Sequence, residues 1–266
     1  MKHLVAPLVL MLAVPAAYGQ TPGQDDILRA ELRPGWREAD GRHIAALHLQ
    51  LAPHWKTYWR SPGDTGVPPE FDWGGSENVG AVTIHWPRPE IFEFQGMKTI
   101  GYVDELVLPV EITPKDPSRP VWLASDVSLG VCNDICVPAM VALSGDLPAS
   151  GAPDAMIKAA LGAVPVSAAA AGLADLACVV EPLADGVRLT ARMRLPPGTG
   201  PEMVVLEPSE PAWVSEAEVT REGDVLIAMS DIVPPDAAPF DLRTDALRVT
   251  VLSDGQAVEA TGCPVN

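Results

Sequence analysis

Four cysteines carry the most evident chemistry in this sequence, as one close pair and one distant pair. Three residues separate Cys132 from Cys136, whereas a long stretch of chain separates Cys178 from Cys263. Four cysteines allow three pairings. Because an Ala-rich segment divides the two groups, we predict the disulfides Cys132–Cys136 and Cys178–Cys263. A close pair of thiols that opens and closes a disulfide is a candidate redox couple.

The length of chain that each disulfide closes predicts a different role for each pair. In the chain-entropy model, a loop of about 86 residues gives roughly 4–5 kcal/mol of stabilisation, and a loop of about five residues gives about 2 kcal/mol. A disulfide that constrains little chain is easier to reduce. We therefore expect Cys178–Cys263 to be a structural bridge and Cys132–Cys136 to be the redox-active pair.

Two other interpretations of Cys132 and Cys136 remain open from their spacing. The pair also fits a structural bridge that pins a loop, and it lacks the βαβ context of a thioredoxin motif. A Cu(I) or zinc site would need further ligands. The side chains that could supply them are not in ligand spacing; they are Met97, Met140, His54 and His85. We therefore expect no metal and no other cofactor.

The first nineteen residues have the features of a cleavable export signal. Lys2 and His3 precede an apolar run over Leu4–Val14, and small residues follow up to Gly19. We predict cleavage after Gly19, which makes residues 1–19 a signal peptide. The apolar run of about 11 residues is too short for a hydrocarbon core of about 30 Å, although an uncleaved anchor is the alternative. Export would place the cysteines in an oxidising compartment.

The composition favours a turn-rich β protein and excludes several classes. The chain has 266 residues, of which 22 are Gly and 28 are Pro, without the Gly-X-Y period of collagen. Hydrophobic residues make up 47 % and charged residues 20 %, which excludes wholesale disorder. The net charge of −17 argues against binding to a nucleic-acid backbone.

The distribution of turns and apolar runs predicts two β-sandwich domains. The pairs Asp40-Gly41, Asp185-Gly186 and Asp254-Gly255 each separate two strand-like runs, as in tight hairpins. The Ala-rich stretch 149–172 lacks aromatic residues, and we interpret it as a linker with one short helix over Ala155–Gly162. The domains predicted on either side are 20–148 and 173–266.

The first predicted domain contains several sequence blocks in order: Pro53–Gly63, Phe92–Gly96 followed by Tyr102, Glu105–Val110 and Trp122–Pro138. Together these blocks resemble a known family over roughly Ile27–Leu147. The family comprises the periplasmic N-terminal domains of the thiol:disulfide interchange protein DsbD and the suppressor-of-copper-sensitivity protein ScsB. No comparable resemblance is evident for the second domain.

The resemblance implies an immunoglobulin-like fold for the sandwiches and the activity of a periplasmic thiol:disulfide oxidoreductase. By the family motif, Cys136, which is followed by x-Pro, is the sulfur that forms mixed disulfides, and Cys132 is its partner. Phe94 is implied to be an aromatic cap that shields the pair. The other aromatic residues assigned to the cap and docking surface are Trp55, Tyr58 and Tyr102. Filling of the core is the alternative for Phe94, Trp55 and Tyr58.

The resemblance also implies partners. The sequence shows neither a membrane electron carrier nor a thioredoxin-like domain, so we expect a separate membrane donor of the DsbD or CcdA type. The expected substrates are periplasmic thioredoxin-like or disulfide-bearing proteins. The cysteines here are closer together than in the DsbD domain, and Asp134 between them would disfavour a thiolate. A Cu(I)-binding copper-tolerance protein and a purely structural interaction protein remain the alternative functions.

Overall fold

The computed structural model describes residues 23–63, 65–94 and 96–265. The predicted signal peptide therefore lies outside the described residues. Helix α1 is a single turn over Gln24–Ile27 that leads directly into the first strand. No helix in the described ranges is long and apolar enough to cross a membrane.

The first ten strands form a β-sandwich of two antiparallel sheets. One sheet has the order β1-β2-β8-β5, and the other has the order β10-β9-β3-β7-β6, with β4 paired to a further part of β9. The strands are β1 (Leu28–Arg37), β2 (His43–Leu51), β3 (Lys56–Gly63), β4 (Glu70–Asp72), β5 (Val79–Ile84), β6 (Glu90–Phe94), β7 (Met97–Val103), β8 (Glu105–Pro114), β9 (Val121–Cys132) and β10 (Cys136–Leu147).

Apolar side chains fill the space between these two sheets. Leu47 of β2 and Leu108 of β8 share one buried cluster with Trp59 of β3 and with Val127 and Leu129 of β9. Burying a large apolar side chain contributes roughly 1.5–3 kcal/mol. The core therefore fixes β3 and β9, the two strands that carry the candidate site.

The later strands form a second β-sandwich. Its sheets have the orders β11-β19-β18-β14 and β12-β13-β17-β15, with β16 also paired to β17. Leu189, Leu226, Ile232 and Val249 lie in its core. The strands are β11 (Val166–Ser167), β12 (Ala174–Pro182), β13 (Val187–Arg194), β14 (Met203–Glu207), β15 (Trp213–Val214), β16 (Glu218–Glu222), β17 (Val225–Val233), β18 (Arg248–Ser253) and β19 (Gln256–Thr261).

The predicted all-β fold class with immunoglobulin-like sandwiches is confirmed. The predicted helix between the sandwiches is also present, as α2 over Ala155–Gly162. The carboxylate of Asp154 caps it by accepting the N–H groups of Met156 and Ile157. Ile157 is fully buried beside Trp36, so this helix packs on the first sandwich.

The second sandwich contacts the first beside β3. The guanidinium of Arg60 donates to both carboxylate oxygens of Glu207 at 2.9 Å and to Glu259 at 2.5 Å. Lys98 of β7 pairs with Glu216 at 2.6 Å, and this ion pair raises the pKa of Lys98. Apolar residues of the second sandwich join the core cluster of the first; they are Met203, Val205, Leu252 and Ala257. The second sandwich thus packs directly against the sheet that carries β3.

Candidate functional site around the Cys132–Cys136 disulfide

The Cys132–Cys136 disulfide closes the end of a long hairpin. Strands β9 and β10 pair without a break from Val121 opposite Leu147 to Cys132 opposite Cys136. The two cysteines are therefore directly opposed, with 4.1 Å between their Cα atoms. In the short loop between them, the Asn133 N–H donates to the carbonyl oxygen of Ile135 at 3.0 Å. The pair lies at the tip of the hairpin, where another protein can approach it.

The two cysteines differ in their access to solvent. Cys132 is only 2 % exposed, because it ends a strand whose last four residues are buried. Cys136 is exposed, as are the loop residues Asn133, Asp134 and Ile135. Thiol–disulfide exchange requires that the attacking thiol reach a sulfur atom. A thiol from another molecule therefore meets Cys136 first, while Cys132 stays behind it.

A tyrosine hydroxyl contacts both sulfurs. Tyr58 of β3 is buried, and its hydroxyl donates to Sγ of Cys132 at 3.1 Å and lies 3.5 Å from Sγ of Cys136. Burial raises the pKa of Tyr58, so the hydroxyl stays protonated and can donate at neutral pH. A hydrogen bond to a charged form stabilises that form. The same hydroxyl would therefore favour a thiolate on Cys132 after the disulfide opens.

Two glycines make the slot that holds the Tyr58 ring. A Cβ atom on Gly130 of β9 would lie 3.2 Å from Cε2 of Tyr58. On the other side, a Cβ on Gly66 would lie 2.9 Å from Cδ1 of the ring and 2.3 Å from Cβ of Pro62. Larger residues at either position would push the ring away. The loop after β3 is thus in direct contact with the residue that contacts the disulfide.

A lysine without a carboxylate partner among the described residues lies on the strand beside Cys132. Lys56 of β3 is the strand neighbour of Cys132, and its Nζ lies 4.8 Å from the centre of the Phe92 ring. A nearby cation stabilises a thiolate. Arg60 and Lys98, by contrast, pair with carboxylates of the second sandwich.

The structure places the predicted aromatic residues in different environments. Tyr58 lies at the sulfurs, whereas Trp55 is half-buried against the main core. Tyr102 is buried in that core, where its hydroxyl donates to the Pro87 carbonyl at 2.8 Å and burial raises its pKa. The backbone of Phe94 ends β6, but the side chain of this predicted cap lies outside the described part of the structure. Sequence reasoning missed the contact of Tyr58 with sulfur and the stacking of Lys56 on Phe92.

The second predicted disulfide is also present. Cys178 and Cys263 are 0 % and 1 % exposed, and their Cα atoms are 5.6 Å apart. The bond joins β12 to the segment after β19, and the Cys178 N–H donates to the Pro264 carbonyl at 2.8 Å. No external thiol can reach these sulfurs in the folded state. The Cys178–Cys263 disulfide is therefore closed to exchange with an external thiol, whereas the Cys132–Cys136 disulfide presents the exposed Cys136.

The described residues contain no group of three or more His, Cys, Asp or Glu side chains that could hold a metal ion. His54 and His85, two of the ligands considered for a metal, lie in different surroundings. His54 is exposed in the turn before β3, whereas His85 lies after β5 near Glu111.

Comparison with known proteins finds similarity in sequence and in fold. The family model described as the N-terminal domain of the thiol:disulfide interchange protein DsbD matches residues 25–148. The crystal structure of the N-terminal periplasmic domain of ScsB from Proteus mirabilis matches with a TM-score of 0.67 and 29 % sequence identity. That match covers 92 % of this chain and 97 % of the other, so it includes both sandwiches. A search of curated proteins finds no match.

Proposed function

Residues 25–148 belong to the family of the N-terminal domain of the thiol:disulfide interchange protein DsbD, and on this basis we propose that the chain relays electrons in the periplasm. In this proposal, the Cys132–Cys136 pair is reduced by a membrane donor and then reduces disulfides of periplasmic proteins. The observation that carries the proposal is the unequal exposure of the two cysteines, with Cys136 accessible and Cys132 buried beside Tyr58.

The reduction of a substrate takes two exchange steps. The Cys136 thiolate attacks one sulfur of the partner's disulfide and releases the partner's other sulfur as a thiolate, which takes up a proton. The Cys132 thiol then loses its proton and attacks Sγ of Cys136, which releases the partner's first sulfur and restores the Cys132–Cys136 bond. The partner gains two electrons and this chain loses two.

The residues around the sulfurs support the second step. Cys132 lies directly opposite Cys136, so the resolving sulfur needs no long movement to reach the mixed disulfide. The Tyr58 hydroxyl favours the negative charge that Cys132 must carry when it attacks. A membrane donor would reduce the pair again by the same two exchange steps in reverse, with its own thiolate attacking Cys136.

An exchange reaction with oxidised glutathione tests the proposal. After reduction of the surface disulfide, the wild-type protein is mixed with oxidised glutathione, and the remaining thiols are alkylated and assigned by mass spectrometry. We expect Cys132 and Cys136 to lose their free thiols within minutes, with no reaction in the Cys132→Ser, Cys136→Ser double variant. If the two thiols of the folded wild type persist for hours in excess oxidised glutathione, the proposed activity is wrong.

The same reduced protein separates this function from the copper-binding alternative. Under anaerobic conditions, Cu(I) can be titrated into the wild type and into Cys136→Ser. Soft thiolates select Cu(I), and this ion accepts two sulfur ligands in a linear arrangement. Tight binding that the substitution removes would favour the copper-binding alternative, whereas the absence of a tight site in the wild type would exclude it.

A further inference from the structure

An open groove runs between the two sandwiches on the side of the loop that follows β3. Its volume is about 460 Å³. Pro62, Gly66 and Pro68 form one wall, and the segment between β14 and β15 forms the other. That second wall includes Glu210 and Trp213. We call this feature the interdomain groove.

The interdomain groove is continuous with the disulfide site through the loop after β3. Gly66 lines the groove and also touches the Tyr58 ring, whose hydroxyl contacts both sulfurs. The adjacent Val67 packs beside Gly130, which lies two residues before Cys132 on β9. A chain segment bound in the groove would therefore lead toward the exposed Cys136.

The walls of the groove expose apolar surface that the protein itself does not cover. Trp213 of the groove wall is 58 % exposed, and Val67, which lies between the wall residues Gly66 and Pro68, is 52 % exposed, although large apolar side chains are usually buried. Proline side chains from both sandwiches flank these two residues; they are Pro62, Pro68, Pro208 and Pro211. An exposed aromatic side chain in a groove suits an extended peptide, as in the aromatic-lined grooves that recognise polyproline segments. Exposed tryptophan is also a frequent centre of binding energy.

The groove and its approach carry more carboxylates than cations. The guanidinium of Arg60 is occupied by Glu207 and Glu259, and Arg243 lies 3.7 Å from Oε1 of Glu210, whose Oε2 has no hydrogen-bond partner in the part of the chain that the structure describes. Along the path to the disulfide, Glu70 and Asp134 are exposed. Complementary charge in a partner favours encounter and sets its orientation.

From this combination we propose that the interdomain groove binds an extended segment of the partner protein that exchanges disulfides with Cys136, and that this segment carries a basic residue next to an apolar one. The inference rests on the proposed function and adds to it a role for the second sandwich, which supplies Trp213 and Glu210. The basic residue would meet Glu210, and the apolar residue would pack on Trp213.

Reactivity toward two short peptides tests this inference. Each peptide contains one cysteine activated as a mixed disulfide with thionitrobenzoate, whose release is followed by absorbance. One peptide has Lys and Leu beside the cysteine, and the other has Glu and Ser. The reduced thiolate of Cys136 attacks the peptide sulfur and releases thionitrobenzoate, so the rate at low peptide concentration reports docking and exchange together. Oxidised glutathione serves as a probe that has neither a Lys or Arg side chain nor a large apolar one.

Matched substitutions separate the groove from the general charge of the protein. We expect Trp213→Ala to lower the rate with the basic peptide at least about tenfold and Glu210→Gln to lower it about threefold. The controls are Trp122→Ala and Glu77→Gln. These two residues pair with each other at the opposite end of β9, and their substitution should leave the rate within about twofold of the wild-type rate. The rate with oxidised glutathione should stay unchanged in all four variants.

Three results would overturn the inference. The first is an unchanged preference for the basic peptide in both groove variants. The second is a wild-type dimer that Trp213→Ala converts to a monomer in sedimentation, because a second copy would then occupy the groove. The third is a wild type that does not react even with oxidised glutathione, which removes the proposed function and this inference with it.

Discussion

Replacing Cys136 with serine should abolish disulfide exchange, whereas replacing Cys132 with serine should leave a protein that reacts once and stays bound to its partner. The reason is the unequal exposure of the two residues: Cys136 is exposed, and Cys132 is 2 % exposed behind it. Removal of an attacking group from a site that works as a unit reduces turnover by at least about 10³-fold. Both single variants should lose turnover to this extent, but only Cys132→Ser should accumulate a mixed disulfide.

Non-reducing electrophoresis and mass spectrometry measure this difference directly. Each variant is incubated with oxidised glutathione, and the mass added by a bound glutathione is assigned to a cysteine. We expect the adduct on Cys136 in Cys132→Ser and almost no adduct on Cys132 in Cys136→Ser. An adduct of equal yield on both cysteines would show that Cys132 is accessible in solution, contrary to its burial in the structure.

Removing the Cys178–Cys263 disulfide should have the largest effect on stability. In the chain-entropy model, the loss of a bridge between two cysteines that are 85 residues apart lowers the free energy of unfolding by roughly 4–5 kcal/mol. We expect the Cys178→Ala, Cys263→Ala double variant to show this loss in urea unfolding followed by circular dichroism. Its rate of exchange with oxidised glutathione should equal that of the wild type below the unfolding transition, because both cysteines are buried away from the hairpin tip.

The Cys132→Ser, Cys136→Ser double variant is the matched control for that measurement. This pair closes a loop of sequence separation 4, so its removal should cost at most about 2 kcal/mol. Comparing the two double variants thus shows which disulfide determines the stability of the fold and which determines the rate of exchange. If the loss of Cys132–Cys136 proved the more destabilising, the hairpin disulfide would be the structural bridge, and the roles assigned to the two pairs would be reversed.

The sequence predicted the elements that depend on local residue chemistry. The Asp254-Gly255 pair connects β18 to β19 as a two-residue turn, with Gly255 at a positive φ of 73°. The helix over Ala155–Gly162 was predicted from an Ala-rich run and is present. Both cysteine pairings were predicted from spacing along the chain. In each case the signal lies in a short stretch of sequence or in a count of cysteines.

The features that the sequence did not predict depend on contacts between distant segments. Tyr58 and Cys132 are 74 residues apart, and nothing in either neighbourhood shows that the hydroxyl would reach the sulfur. Arg60 and Glu259 are 199 residues apart in the chain, so nothing in the local sequence indicated that the two sandwiches pack together. Tyr102 was assigned to the cap and docking surface, but the structure buries it with a hydrogen bond to Pro87. Residue type alone does not distinguish a tyrosine of the core from one at a functional site.

The most direct measurement of the central claim is the reduction potential of the Cys132–Cys136 pair. The folded protein is equilibrated in buffers of graded ratios of reduced to oxidised glutathione or dithiothreitol, and the oxidised fraction of these two cysteines is quantified after alkylation. We predict a potential above about −300 mV, within the range of proteins that exchange disulfides. A potential below about −300 mV would mark a structural disulfide that resists the glutathione pool, and it would contradict the role proposed for this pair.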